Sequence, residues 1–528
     1  MGRQAPDLIL HNAHIIPMAG PPIKRGFVVV AGGRILALEG GQDWQRSKTT
    51  GTVVVDCGGK PLVPGFIDSH FHLRASAQAV LSMDFAGGDD FLTIEHIIEG
   101  IQAKAASLPK GHWIRARGYH EFHLAEKRHP TRWDLDRASS RHPIRLTHRT
   151  GHAHVLNSMA LRLVGITRHT PDPPGGLIER DLETGEPTGV LYEMGKYLSR
   201  RMPPQSDGEL ERGIREVNRR LLSCGVTSIH EASQGNGLEE LDRIRRWKRG
   251  KAFLPRARVL LGTDSFEGDK HFSPKDFPGD NHVSLGGVKV ILDETTGRLH
   301  PGQEELNRKV FHVHRMGMQV AIHAIEGHAV ESACEAIEYA LGKYPRPDHR
   351  HRIEHCSLCT PSLSRRLAEQ GIAVVTQPCF VYYNGDRYLE SIPVLKGLYA
   401  TGTLMKSGIV VAGSSDCPVA PPDPLIGVYA AVSRRAKSGA PVISEEAIST
   451  LDALKMYTVH GAWVGFEERV KGTLTPGKLA DMVLLSTDPT RVPPEELRDI
   501  HVEMTLIDGE IAWREETFDI DRGGGTGP

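Results

Sequence analysis

Six residues could do chemistry together if the fold brings them to one place. The run Val63-Pro64-Gly65-Phe66-Ile67-Asp68-Ser69-His70-Phe71-His72 ends in His-x-His. Side chains alternate across a strand, so residues two apart share a face, and His70 and His72 can aim two imidazoles at one point. Neutral imidazole is the commonest metal ligand a protein offers. By itself the motif reads equally well as a strand end with two exposed histidines. Three later residues favour the chemical reading. His323 closes the run QVAIH, His355 closes RIEH, and Asp416 follows Gly413-Ser414-Ser415. Several imidazoles plus a carboxylate, with room left for water, is the makeup of a catalytic zinc-type site. The sixth residue is Lys289, inside Gly287-Val288-Lys289-Val290-Ile291-Leu292. Lysine is almost never buried unless paired, so taken alone it would point outward or pair with Asp293 or Glu294. Beside four histidines we read it as pointing inward and carboxylated by carbon dioxide, an anionic ligand able to bridge two metals.

These residues need a scaffold that gathers strand ends. Short β-branched runs end near residues 72, 230 (VTSIH), 261 (RVLL), 292 (VKVIL), 323, 355, 376 (IAVVT) and 412 (IVVA). Helical patterns lie between most of them, at about 238–250, 304–316, 328–342, 361–370 and 397–407, and Gly317, Gly371 and Gly408 stand where a helix C-cap prefers glycine. Eight alternating units predict an α/β fold, a (β/α)8 TIM barrel, whose chemistry sits at the C-terminal ends of its strands. Residues 7–16, 26–38 and 52–56 read as strands, with Gly32-Gly33 as a hairpin turn, and 481–485 and 502–513 read likewise around Asp508-Gly509. The two β-rich ends, 1–62 and 473–516, are expected to build one small antiparallel β-sandwich domain around a barrel over 63–472. Residues 111–200 break the rhythm and read as an insertion after the first barrel strand, and 517–528 as a disordered tail.

Composition sets limits. The chain has 528 residues, too many for one ordinary core, and 39% hydrophobic and 24% charged residues, as soluble globular proteins have. Its net charge of −1 offers no basic field for nucleic acid. Seven cysteines at irregular spacing argue against a disulfide framework and fit a reducing compartment. The start lacks the apolar core of a signal peptide, and no uncharged apolar run reaches a membrane span. A cytoplasmic protein without nucleic-acid or membrane partners is expected, and a homo-oligomer is left open.

The order His-x-His, Lys, His, His, Asp resembles the amidohydrolase superfamily. Within it the chain is similar to the YtcJ-like branch, which includes N-substituted formamide deformylase. The matching stretches are PGFIDSHFHL, RTGHAHVLNSMAL, VAIHAIE, RIEHC, GSSDCPV and GTLTPGKLADMVLL, from about residue 60 to 485. The resemblance implies metal ligation by His70, His72, Lys289, His323, His355 and Asp416. The loop Leu292-Asp293-Glu294-Thr295-Thr296-Gly297-Arg298 departs from the Asp-Gly stretch many members carry there.

The expected activity is metal-dependent hydrolysis of a non-peptide carbon–nitrogen bond in a small amide-type substrate. One or two divalent ions, taken as Zn2+, would activate a water, and Asp416 would act as general base and then acid. Alternatives are a heterocycle deaminase, an N-acyl amino acid hydrolase, or a non-catalytic relative that keeps the barrel as a binding scaffold. Substrate contacts are expected from His230 at the second strand end, His152 in the insertion, and Tyr382, Tyr383 and Arg387 in a polar aromatic loop after strand seven. Asn157 reads as a helix N-cap, and His148 and His154 as internal hydrogen-bonding residues. Cys356-x-x-Cys359 has no second pair and does not make a structural zinc site.

Overall fold

The computed structural model describes residues 5–85, 93–265, 277, 279–294, 298–392 and 395–516. Eight parallel strands form one sheet in sequence order: β1 (Phe66–Phe71), β2 (Val226–Glu231), β3 (Arg256–Gly262), β4 (Val283–Ile291), β5 (Val320–Ala324), β6 (Arg352–His355), β7 (Ala373–Thr376) and β8 (Val411–Gly413). All eight are buried along most of their length, as a parallel strand covered by helices is on both faces. The sheet curls until its ends meet. Asp416 N–H donates to the His70 carbonyl at 3.0 Å, and His72 N–H to the Cys417 carbonyl at 3.1 Å. This is the α/β barrel that the alternating pattern predicts.

Helices Leu238–Arg249, Gln303–Arg315, Gly327–Lys343 and Pro361–Glu369 return the chain between strands. Each buries one stripe; Leu306, Val310, Val313 and His314 do so on Gln303–Arg315. Gly317, Gly371 and Gly408 all hold the left-handed backbone that ends a helix, with φ of +77°, +67° and +88°.

Both chain ends build one sheet. Its path runs Glu510–Arg514, Val502–Ile507, Met482–Leu485, Pro61–Pro64, Leu8–Ile15, Ile23–Ala31 and Arg34–Gly40, with Val53–Asp56 beside Leu8–Ile15. Apolar residues at alternate positions, Leu8 and Leu10, Val28 and Val30, Met482 and Leu484, Met504 and Leu506, meet in one core. Val53–Asp56 and Pro61–Pro64 pair parallel to Leu8–Ile15, so the unit is mixed rather than purely antiparallel. Pro61–Pro64 leads straight into β1. Between them, a Cβ on Gly65 would come within 2.2 Å of Thr227 Oγ1 on β2, so the Pro-Gly before His-x-His is a close-approach glycine. Arg256 on β3 ties the barrel to this sheet: its Nε and Nη2 donate to Asp481 at 2.6 and 2.7 Å, and Nη2 also to Asp508 at 2.6 Å.

The chain divides into two compact units, and the barrel and the end-built sheet belong to the first. The second comprises Arg74–Glu216 with Asp293–His300, wider than the insertion expected over 111–200. It holds its own six-stranded sheet: Leu177–Arg180, Pro187–Tyr192, Ala153–Leu156, Ile144–His148, Ile114–Tyr119 and Met83–Asp84, in that spatial order. Helix Ile94–Ala106 presents Ile94, Ile97, Ile98 and Ile101 to the core of this unit. Asn157 caps helix Ser158–Val164, its Oδ1 accepting from Ala160 N–H at 2.9 Å. Among the described residues, no helix is long and apolar enough to cross a membrane. The tail at 517–528 and part of the departing loop, 295–297, lie outside the described residues.

Candidate active site

Five strand ends converge. His70 lies near the end of β1 and His72 just after it, Lys289 lies on β4, His323 on β5, His355 ends β6, and Asp416 follows β8. His70 Nε2 stands 3.2 Å from Lys289 Nζ and 3.5 Å from Asp416 Oδ1, and His72 Nε2 is 3.0 Å from the same oxygen. The His355 ring lies 4.9 Å from that of His70 and 4.4 Å from that of His323, centroid to centroid. Lys289 is buried and faces inward, so the alternative of an outward lysine paired with Asp293 or Glu294 does not hold.

Partners behind the rings fix their tautomers. His70 Nδ1 contacts Glu354 Oε2, and Arg352 Nε donates to Glu354 Oε1 at 2.6 Å. A carboxylate held by a guanidinium can only accept, so Nδ1 carries the hydrogen and the Nε2 lone pair points into the site. A longer chain sets His355. The Ser414 hydroxyl donates to the Thr376 carbonyl at 3.0 Å, which leaves its oxygen to accept from Gln377 Nε2 at 3.1 Å. Gln377 Oε1 then faces His355 Nδ1 at 2.9 Å and accepts its hydrogen. The opposite nitrogen, His355 Nε2, is buried without a hydrogen-bond partner. An orphaned lone pair in a polar cluster is a cost unless something binds it. His72 Nδ1 lies 3.0 Å from Ser233 Oγ, on the loop after β2 that Glu231 holds by accepting from the Leu73 and Ser233 backbone.

The electrostatics agree. Burial first, then the Lys289 ammonium, pushes His70 well below the usual imidazole range, and burial lowers His355 too. Both are neutral near pH 7, the form that ligates metal. Burial would raise the Asp416 carboxyl, but His72, His355 and Lys289 outweigh it and hold it below the ordinary value. Burial pushes the Lys289 ammonium down to about 8 against the pull of Glu354 and Asp416. Neutral imidazoles, an ionised carboxylate and an unpartnered ring nitrogen suit a divalent metal.

A profile of the amidohydrolase family matches residues 53–512. The chain belongs to the amidohydrolase family. It is 29% identical to the N-substituted formamide deformylase of Arthrobacter pascens over 97% of this chain and 99% of that one. It is 28% identical to a Bacillus subtilis protein named as amidohydrolase YtcJ, over 88% and 90% of the two chains. A crystal structure of an uncharacterized metal-dependent hydrolase from Pyrococcus horikoshii superposes with a TM-score of 0.72 at 23% identity, over 92% of this chain and 99% of that one. The likeness of fold is therefore chain-wide, and this member of the amidohydrolase family is a hydrolytic enzyme.

The other expected contacts have surroundings of their own. His230 is fully buried, and its Nδ1 accepts from Arg352 Nη1 at 3.0 Å. It belongs to a charge network that reaches His70 through Arg352 and Glu354, not to an open substrate face. Tyr382, Tyr383 and Arg387 lie on helix Cys379–Ser391 rather than in a loop. That helix forms because Phe380, Val381, Gly385 and Tyr388 fall on one buried side, and a Cβ on Gly385 would meet Ala436 Cβ at 2.6 Å. Tyr382 packs on Tyr383 and Tyr429, and the Arg387 guanidinium sits 4.8 Å from the Tyr388 ring centroid. His152, in the second unit, places Nδ1 2.6 Å from Glu193 Oε1. His154 is buried against Arg145 Nη2 at 3.2 Å, and none of the seven cysteines is in a disulfide.

Sequence reasoning missed four supporting residues: Asp68, Glu354, Gln377 and Ser233. Asp68 accepts from the His70 and Ser415 backbone at 3.2 and 3.1 Å and from Ser415 Oγ at 2.5 Å, so one buried carboxylate ties the ends of β1 and β8. The available signal was positional. Asp68 lies two residues before His70, on the same face of the strand, and Glu354 directly precedes a candidate ligand. The left-handed backbone at His355 (φ +70°) and Asp416 (φ +57°) had no such signal. Strain of this kind persists where surroundings over-determine it, as at active sites.

Proposed function

We propose that this amidohydrolase cleaves the carbon–nitrogen bond of a non-peptide amide, with N-substituted formamides as the first class to test. The observation that carries the reading is the convergence of His70, His72, Lys289, His323, His355 and Asp416 at the strand ends, with an orphaned His355 Nε2 aimed into the group. The imidazoles, Asp416 and a carboxylated Lys289 would hold one or two divalent ions, zinc by donor type. When bound, the metal supplies Lewis acidity that makes water more acidic and the substrate carbonyl more electrophilic.

The chain's own groups do the rest. Asp416, ionised and fixed by His72, takes a proton from water as its oxygen bonds to the amide carbon and the carbonyl π pair moves onto oxygen. The same carboxyl then gives that proton to the nitrogen as the C–N bond breaks and the carbonyl re-forms. The products are a carboxylic acid and an amine. Glu354 and Gln377 keep the His70 and His355 rings in the tautomers that face the site. Carboxylation of Lys289 joins its neutral amine to carbon dioxide with loss of one proton, and a lysine brought to about 8 by burial has neutral amine available near neutral pH.

The test is a panel of N-substituted formamides, longer-chain amides, N-acyl amino acids and aminated heterocycles, given to zinc-loaded protein. Acid and amine released in equal amounts from an amide support the reading. Ammonia from the heterocycles, with no amide turned over, would replace it with a deaminase. The resemblance to the Arthrobacter pascens deformylase supports placing formamides first.

A further inference from the structure

We propose that the second unit carries its own divalent-metal site, of the zinc type, held by His120, Glu121 and His148. Two neighbouring parallel strands bring these residues together. Ile114–Tyr119 and Ile144–His148 pair so that Tyr119 stands opposite His148, and His120 and Glu121 follow directly. One ligand atom from each of the three residues lies within 4.8 Å of the others. Both imidazoles are more than nine-tenths buried.

A hydrogen-bonded charge cluster does not account for the geometry. Glu121 Oε2 lies 2.9 Å from His148 Nε2, yet both atoms are buried and neither makes a well-aligned hydrogen bond. A buried polar atom left without a partner is costly. A cation shared between the ring nitrogen and the carboxylate would satisfy both. The same oxygen is 3.4 Å from His120 Nδ1 and 3.9 Å from His129 Nε2. On binding, the metal would take the place of the Phe122 amide, which now donates to His120 Nδ1 at 3.1 Å.

The surroundings are those of metal-ligating rings. His148 Nδ1 lies 2.8 Å from Thr150 Oγ1, and His129 Nδ1 lies 2.8 Å from Tyr119 Oη. A partner on the far nitrogen orients a ligating ring. His148 Nδ1 also accepts from the Thr150 N–H at 3.2 Å, and on metal binding its ring hydrogen would pass to Nδ1 and be accepted by Thr150 Oγ1. Burial would raise the Glu121 carboxyl, but the close His148 and His120 rings outweigh it and hold it below the ordinary value, so it is an anion at neutral pH. Burial lowers His129 and keeps it neutral. Two imidazole nitrogens and one carboxylate oxygen are a zinc-type donor set, with His129 or water available as a fourth. The bound ion would pin the segment around 120–129 to the strand that ends at His148.

The experiment counts metal and is independent of turnover. Full-length protein purified from zinc-supplemented cells is dialysed, and zinc per chain is measured for the parent and for the double variant His120→Asn, His148→Asn. The expected result is one zinc fewer per chain in the double variant, with its circular dichroism unchanged. An equal zinc content in the folded double variant overturns the proposal. If that variant fails to fold, Glu121→Gln, nearly isosteric, carries the test in a cobalt titration of metal-stripped protein. A loss of roughly tenfold or more in affinity for one cobalt supports the site, and a titration identical to the parent's overturns it.

Discussion

The barrel cluster and the insertion cluster both join imidazoles to a carboxylate but are backed by different side chains. Behind the barrel rings stand a carboxylate and a carboxamide, Glu354 on His70 and Gln377 on His355, and Arg352 neutralises the first of these. Behind the insertion rings stand hydroxyls, Thr150 on His148 and Tyr119 on His129. A charged acceptor makes a stronger hydrogen bond than a neutral one and raises the basicity of the ring it holds. The barrel cluster also brings a lysine into reach and keeps its aspartate on a strained, left-handed residue. The insertion cluster has neither. Backing, more than the number of imidazoles, marks one group as fit for chemistry and the other as fit to tie two strand ends together.

The largest expected effect separates the two groups outright. His70→Ala with His72→Ala should remove barrel metal and all turnover while circular dichroism stays unchanged. The insertion should keep its zinc. If the double variant keeps every metal of the parent, the barrel ligands are misassigned. Next comes Asp416→Asn, expected to lower kcat by roughly 10²–10⁴ with metal content near normal. Turnover like the parent's would remove Asp416 from its role. Lys289→Ala should lose activity and one metal where two are bound, and a short carboxylic acid should restore part of the activity. A variant with the parent's metal and turnover would end the carboxylated-lysine reading.

The smallest effect tests the backing itself. Glu354→Gln should weaken barrel metal affinity by about 10- to 100-fold, as loss of a second-layer partner does, and Thr150→Val should weaken insertion metal by no more than about tenfold. Equal losses, measured by competition with a chelator, would break the distinction drawn between the two clusters.

Much of the barrel was legible because its signals are local. β-branched runs ending in histidine marked β2, β5 and β6, glycines at 317, 371 and 408 marked helix ends, and Asp508-Gly509 marked a hairpin whose two residues do hold φ of +53° and +73°. The six candidate ligands could be named because each sits at a strand end. Their support could not. Asp68 reaches Ser415, 347 residues away, and Glu354 reaches His70 across 284, contacts that exist only once the barrel closes. His230 misled because a strand-end histidine reads the same whether it faces substrate or an interior arginine. Tyr382–Arg387 misled because Gly385 in a polar run reads as a break, whereas here it lets Ala436 approach a helix. The six-stranded sheet of the second unit mixes parallel and antiparallel pairs across connections of uneven length, which gives no period to read.

The central claim is that turnover depends on metal held at the barrel strand ends. The most direct measurement strips the protein with a chelator, assays the amide it hydrolyses best, and then adds zinc back in steps while counting the metal bound. The account predicts no turnover in the stripped protein and recovery with one or two equivalents, in parent protein and in the His120→Asn, His148→Asn variant alike. Full turnover by protein holding less than about a tenth of an equivalent of metal would contradict it, since unaided water attack on an amide needs the Lewis acid this site is built to hold.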